Sequence, residues 1–134
     1  MEKFSSNPTQ PTRKATFVGA ATYRRKMYGS NHPLAIPRVS LTFDLINAYD
    51  ALTTGEYKIA RKAADFELEW FHTPEYISAI KRVEVLGRVK NETRILHQLG
   101  TLENPYFSTL FTTPATATGA SVQAAEEVIN GRIG

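Results

Sequence analysis

His32, His72 and His97 are the side chains best suited to metal or proton chemistry, and none is paired as HxxxH, HxH or HH. A metal site needs ligands that converge, usually two of them at close spacing. Asp44 and Asp50 share a predicted helix at a spacing that puts them on different faces, and Asp65 stands alone. A complete metal site made by this chain is therefore not expected. His32 precedes Pro33 in a loop and reads as a backbone hydrogen-bonder. His72 stands just before a helix start and reads as a structural contact, while His97 reads as solvated. None of the serines sits in a GxSxG elbow, and neither GxGxxG nor a Walker loop is present. With no cysteine, thiol catalysis, a Cys zinc site and a disulfide framework are excluded. Glu126 and Glu127 read as a solvated helix face, and Trp70-Phe71 and Tyr106-Phe107 as packing.

The elements that would have to position these groups fit one domain. The chain has 134 residues, 42% of them hydrophobic and 22% charged, which is ordinary for a globular protein. Net charge is +3, and it is uneven: residues 1–31 carry Lys3, Arg13, Lys14, Arg24, Arg25 and Lys26 against Glu2 alone. The basic character thus belongs to a leader rather than to a face of the fold, so a nucleic-acid partner is not expected. No apolar run is long enough to cross a membrane, and the leader lacks the apolar region of a secretory signal. Absence of cysteine fits a reducing compartment, and a cytoplasmic location is expected.

Residues 1–14 are polar and rich in Pro, Ser and Thr, and read as a disordered tail. Ala15–Ala21 suits a short buried strand. Arg24, Arg25 and Lys26 read as a solvated charge run before the loop YGSNHPLAIP. Arg38 to about Leu52 is the clearest helix, with Val39, Thr42, Leu45, Ile46, Tyr49 and Leu52 along one face and Gly55 as its left-handed cap. Tyr57–Ala60 suits a second strand, and Asp65 a capped short helix. Thr73-Pro74-Glu75 opens another helix, with Ile77, Ile80, Val83 and Leu86 inward and Gly87 at its end. Residues 88–98 stay ambiguous. Thr113-Pro114 opens the last helix, with Val122, Ala125, Val128 and Ile129 on its apolar side. This order suggests an α/β protein, but two strands are too few for a parallel sheet covered on both faces.

Four segments add a resemblance. His32-Pro33-Leu34-Ala35-Ile36-Pro37-Arg38-Val39 resembles the HPxxPxRV-type signature of the histone deacetylase superfamily. His72-Thr73-Pro74-Glu75-Tyr76-Ile77 is similar to its HTPEYI segment. Leu99-Gly100-Thr101-Leu102-Glu103-Asn104-Pro105-Tyr106-Phe107 resembles its LGTEDNPVF loop. Gly119-Ala120-Ser121-Val122 with Ala124, Ala125 and Gly131 resembles its GGTLEAAELVLSG helix. The four come in the family's order over residues 15–134, and the acetoin-utilisation type is the nearest in character.

The resemblance implies the N-terminal part of an arginase/deacetylase-like three-layer α/β fold with a parallel sheet. It implies zinc-dependent hydrolysis of acetyl-lysine, in a protein, or of a small acetylated amine. The family's two aspartates and one histidine for zinc, its adjacent histidine pair and its catalytic tyrosine have no counterpart here. The chain is therefore expected to be an opening portion that binds no zinc and is inactive alone. Two positions carry over: Arg38 as the arginine lining the product channel, and Glu103 where the family has a substrate-holding aspartate at the pocket rim. Glu103 is one methylene longer than that aspartate, and Leu102 stands where the family has a preceding acid. Two other readings stand beside this one: a non-catalytic module that binds acidic partners through its basic leader, or a poorly folded remnant.

Overall fold

The computed structural model describes residues 15–25, 35–53 and 55–132. The tail 1–14, Lys26 and the loop through His32 lie outside them. Two strands, β1 (Phe17–Gly19) and β2 (Tyr57–Ile59), pair in parallel with Phe17 opposite Tyr57 and Gly19 opposite Ile59. A 3-10 turn (Ala21–Arg24) follows β1, and α1 (Arg38–Ala48) leads back towards β2. Four helices complete the described residues: α2 (Asp65–Leu68), α3 (Pro74–Leu86), α4 (Asn91–His97) and α5 (Thr112–Ile129).

The small sheet lies between two layers. On one face the rings of Phe17, Tyr57 and α1's Phe43 stack, with Phe43 4.7 Å from Tyr57 and 5.2 Å from Phe17. On the other, Glu127 of α5 accepts from Lys58 of β2 and from Thr16 Oγ1 at 3.2 Å. Arg132 joins this knot through Thr16 Oγ1 at 2.6 Å and Glu127 at 3.1 Å. Glu127 is thus no solvated residue: its side chain is 12% exposed, and its pKa is lowered by the hydrogen bond from Lys58. Gly119 lets α5 lie against the chain after β2, since a Cβ there would fall 2.1 Å from the carbonyl oxygen of Arg61. The Ala63 amide then bonds the Ala115 carbonyl at 2.9 Å.

Two apolar clusters hold the helical half. Ala63, Leu68, Ile77 and Ala115 form one, and Val83, Leu99 and Leu110 the other. The start of α3 is as its sequence predicts: Thr73 Oγ1 accepts from the Tyr76 amide, Pro74 opens the helix, and Gly87 ends it at φ 69°. The ambiguous stretch 88–98 contains α4.

Several expectations need correction. The chain leaves α1 at Asp50, whose φ is 50°, and Gly55 lies in the turn before β2. An aspartate tolerates the left-handed region because its short polar side chain bonds locally. Asp65 is the first residue of α2 rather than its cap; Glu67 reaches back to the Ala64 amide at 2.7 Å. Helix α5 begins at Thr112, one residue ahead of the expected cap, because Glu84 of α3 supplies the capping carboxylate. Its buried residues are Thr113, Ala115, Thr116 and Gly119, while Val128 and Ile129 are exposed. Leu86 is exposed too, and so are Val39, Leu45 and Tyr49 of α1. Of α1, only Ser40 is buried.

Candidate functional site

Two segments carry the residues expected to act. Arg38 is the first residue of α1, exposed, with its amide donating to the Ile36 carbonyl at 2.8 Å. Pro37 before it cannot donate, so the helix starts where the proline leaves off. One turn later Thr42 Oγ1 returns a bond to the Arg38 carbonyl at 2.9 Å.

Glu103 sits on the tight turn after α4. Gln98 at φ 54° and Gly100 at φ 70° reverse the chain, and the Gly100 amide bonds the Asn104 carbonyl at 2.8 Å across the turn. Thr101 Oγ1 donates to the Gln98 carbonyl at 3.0 Å and accepts from the Asn104 amide at 3.1 Å. Glycine is needed at residue 100 both for that φ and because a Cβ would meet Val89 at 3.0 Å. These bonds fix the tip while leaving Leu102 and Glu103 in solvent, Leu102 at 91%. Glu103 enters no hydrogen bond or ion pair among the described residues, so its carboxylate is available to an incoming donor.

A cavity of about 120 Å³ opens between α1 and the 3-10 turn, bounded by Tyr23, Arg24, Ser40, Phe43 and Tyr57. The Ser40 hydroxyl is buried there without a hydrogen-bond partner, the one such side-chain atom among the described residues. Arg24 bonds Asp44 in a forked pair, Nη1 to Oδ2 at 3.0 Å, and holds the aspartate's pKa below its usual value. Arg24 is thus partnered, not part of a free charge run. Burial, with Tyr57 nearby, raises the Tyr23 pKa, so its phenol stays protonated. The cavity can hold a small polar group. It offers no free base, because Asp44 is committed to Arg24. Sequence gives one hint of it: Ser40 follows directly on the Arg38-Val39 end of the quoted signature.

Of the histidines, His72 makes the structural contact expected of it at the entry to α3, and His97 departs from expectation. His72 and His97 flank the Tyr76 ring, with centroids at 5.3 Å and 5.5 Å. His97 is half-buried, so it is not the solvated residue expected. His32 lies outside the described residues. Among the described residues no three His, Asp or Glu side chains gather where they could hold a metal ion.

Two further carboxylates were not anticipated. Glu67 receives both Arg61 guanidinium nitrogens at 2.6 Å, and that pair, with the Ala64 amide, pushes its pKa down to about 2. Burial works against a charge on Glu84. Bonds from Thr112 Oγ1, from the Thr112 and Phe111 amides, and the charge of Lys62 outweigh it and lower its pKa. Both are structural anchors, Glu67 for the chain between β2 and α2 and Glu84 for the start of α5.

With this geometry in hand, known proteins supply the class. The histone deacetylase domain family matches residues 32–134. The acetoin utilization protein AcuC of Bacillus subtilis is 30% identical over 120 residues, covering 90% of this chain and 31% of its own. The type-1 histone deacetylase 1 of Dictyostelium discoideum is 33% identical over 72 residues, covering 54% of this chain and 14% of its own. The crystal structure of an HDAC homolog from Aquifex aeolicus superposes with a TM-score of 0.84 at 36% identity, over 90% of this chain and 32% of that one. The structure of an HDAC homolog complexed with SAHA gives the same values. The chain belongs to the histone deacetylase family, and its described residues adopt part of that fold. It spans about a third of the length of the Bacillus and Aquifex proteins.

Proposed function

We propose that this chain is the N-terminal portion, residues 15–134, of a zinc-dependent deacetylase domain of the acetoin-utilisation type. Its substrate would be acetyl-lysine in a protein or a small acetylated amine, and its place the cytoplasm. The observation that carries the reading is the family match over residues 32–134, which takes in both Arg38 and the Glu103 turn. In this reading Glu103 holds the substrate at the pocket rim. An exposed carboxylate on a turn fixed by its own hydrogen bonds can accept from a substrate amide without first giving up another partner. Arg38 lines the path by which the product acid leaves, since a guanidinium can take a carboxylate through two bonds. Zinc and the proton-transferring groups belong to the rest of such a domain, and the chain alone is inactive.

A fusion tests this: residues 15–134 joined to the part of Bacillus subtilis AcuC outside its aligned stretch, assayed on an acetyl-lysine peptide. Hydrolysis is expected. Glu103→Ala should raise KM about tenfold with kcat little changed, as loss of a charged hydrogen bond to substrate predicts. Arg38→Ala should lower kcat. A folded, metal-loaded fusion without deacetylase activity would overturn the reading, and so would hydrolysis by residues 1–134 alone.

A further inference from the structure

The turn that carries Glu103 keeps a second side chain in solvent: Leu102 is 91% exposed at its tip. Single apolar residues on a surface are common, and most need no explanation. This one has a rigid seat. Leu99, three residues before it, is 1% exposed and packs with Val83 and Leu110. Phe107, beyond the turn, packs against the same cluster. Between those anchors the Gly100 amide bonds the Asn104 carbonyl at 2.8 Å, and Thr101 Oγ1 bridges the Gln98 carbonyl and the Asn104 amide. The tip is therefore ordered before anything touches it, and contact with it costs little further chain entropy.

Leu102 is also where this sequence leaves the family's pattern, which has an acid before the rim carboxylate. Two carboxylates side by side favour basic groups on whatever crosses them, and one carboxylate beside a leucine does so less. Neighbouring Cα atoms lie about 3.8 Å apart, on this turn and along an extended peptide alike. A peptide whose backbone amide donates to Glu103 thus carries an adjoining side chain past Leu102. We propose that Leu102 is a specificity-determining residue of the rim. It selects acetyl-lysine in a polypeptide, flanked by an apolar side chain, over a basic-flanked site and over a small acetylated amine. A small amine can reach Glu103 through its amide but has no flanking side chain to cover the leucine. Covering part of an exposed leucine is worth about fivefold in kcat/KM. This rests on the rim role proposed above for Glu103 and adds a substrate class to it.

The test uses the AcuC fusion described above. Its substrates are acetylated 1,4-diaminobutane and two peptides, alike except that leucine or lysine stands on both sides of the acetyl-lysine. The leucine-flanked peptide is expected to lead the lysine-flanked one by about fivefold in kcat/KM, the difference residing in KM. Leu102→Glu restores an acid and should shift that ratio about tenfold toward lysine, as the lost apolar contact and a weak surface ion pair add. Leu102→Met should keep the parent's preference. A change that only loosened the turn would slow both peptides alike and leave the ratio unmoved, and thermal melts matching the parent show the fold intact. A ratio indifferent to Leu102→Glu overturns the proposal. So does a parent that prefers the lysine-flanked peptide or the diamine. With Glu103→Ala still raising KM, those outcomes leave the rim role of Glu103 standing. A folded, metal-loaded fusion that hydrolyses none of the three substrates overturns that role and this proposal with it.

Discussion

The α3–α5 half and the α1–sheet half of this chain use amphipathic helices to different ends. In the first, α3 buries Ile77, Ala79 and Val83, and the clusters around Leu99 and Ala115 close over them. In the second, α1 has an equally regular apolar stripe, yet only Ser40 is buried and the contact with the sheet is three stacked rings. The difference teaches that apolar periodicity states a helix's capacity for burial and not where its partner lies. One half closes a core of its own, though Val85, Leu86, Ile95, Leu96, Val128 and Ile129 stay exposed on it. The other offers surface.

The sharpest way to break that contrast is to empty that closed core. Leu99 is 1% exposed and its neighbours Val83 and Leu110 are themselves buried. Leu99→Ala should lower stability by about 4 kcal/mol, since the lost transfer energy adds to an unfilled cavity. Chemical denaturation checks it; a loss under about 1 kcal/mol would mean that this half is as loosely packed as the other.

Next comes the seam between the halves. A methyl group at Gly119 would fall 2.1 Å from the Arg61 carbonyl oxygen and 2.7 Å from the Ala63 nitrogen, both backbone atoms that cannot swing aside. Gly119→Ala should therefore cost about 3 kcal/mol as α5 is pushed off the chain after β2. A thermal melt unchanged from the parent would mean that α5 and the sheet are not in the contact described.

How far the sequence could be read follows from which effects are local. Thr73, Pro74 and Gly87 bound α3 as expected, because a cap, a first-turn proline and a left-handed glycine act within a few residues. The α/β order of strands and helices was legible for the same reason, while the parallel sheet came from the family resemblance alone. The true cap of α5 was not, because Glu84 lies 27 residues before the Phe111 amide it binds. Glu127 was misread as solvated because its partners Thr16 and Lys58 lie 111 and 69 residues away. At the candidate site, Arg38 and Glu103 came from likeness to a family and from no property of their own. The Ser40 cavity needed α1 and the 3-10 turn side by side before it existed.

A pH titration sharpens the comparison in a different way. Arg61 and the Ala64 amide hold the Glu67 pKa down to about 2, from an ordinary 4.5, and Glu84 is lowered as well. Groups with depressed folded-state pKa values add stability above the unfolded value and lose it as pH falls through the folded one. The helical half should thus weaken between about pH 4.5 and pH 2, and Glu67→Gln should flatten that slope. Followed by circular dichroism, an acid transition of equal steepness in the variant would remove Glu67 from the account.

The smallest expected effect is the most diagnostic for the open half. Leu45 is 58% exposed on α1, so in this chain it keeps much of its contact with water whether folded or not. Leu45→Ala should change stability by no more than about 0.5 kcal/mol, the ordinary range for surface positions, and alanine's better helix propensity partly offsets any lost contact. A loss near that of Leu99→Ala would show that Leu45 is already buried in solution, by a second copy or by another part of the chain. The two causes separate by concentration: a self-association loss shrinks as the protein is diluted and the parent's own dimer dissociates, and an intramolecular one does not. An effect near zero leaves the stripe as free surface in this chain, as the contrast between the two halves requires.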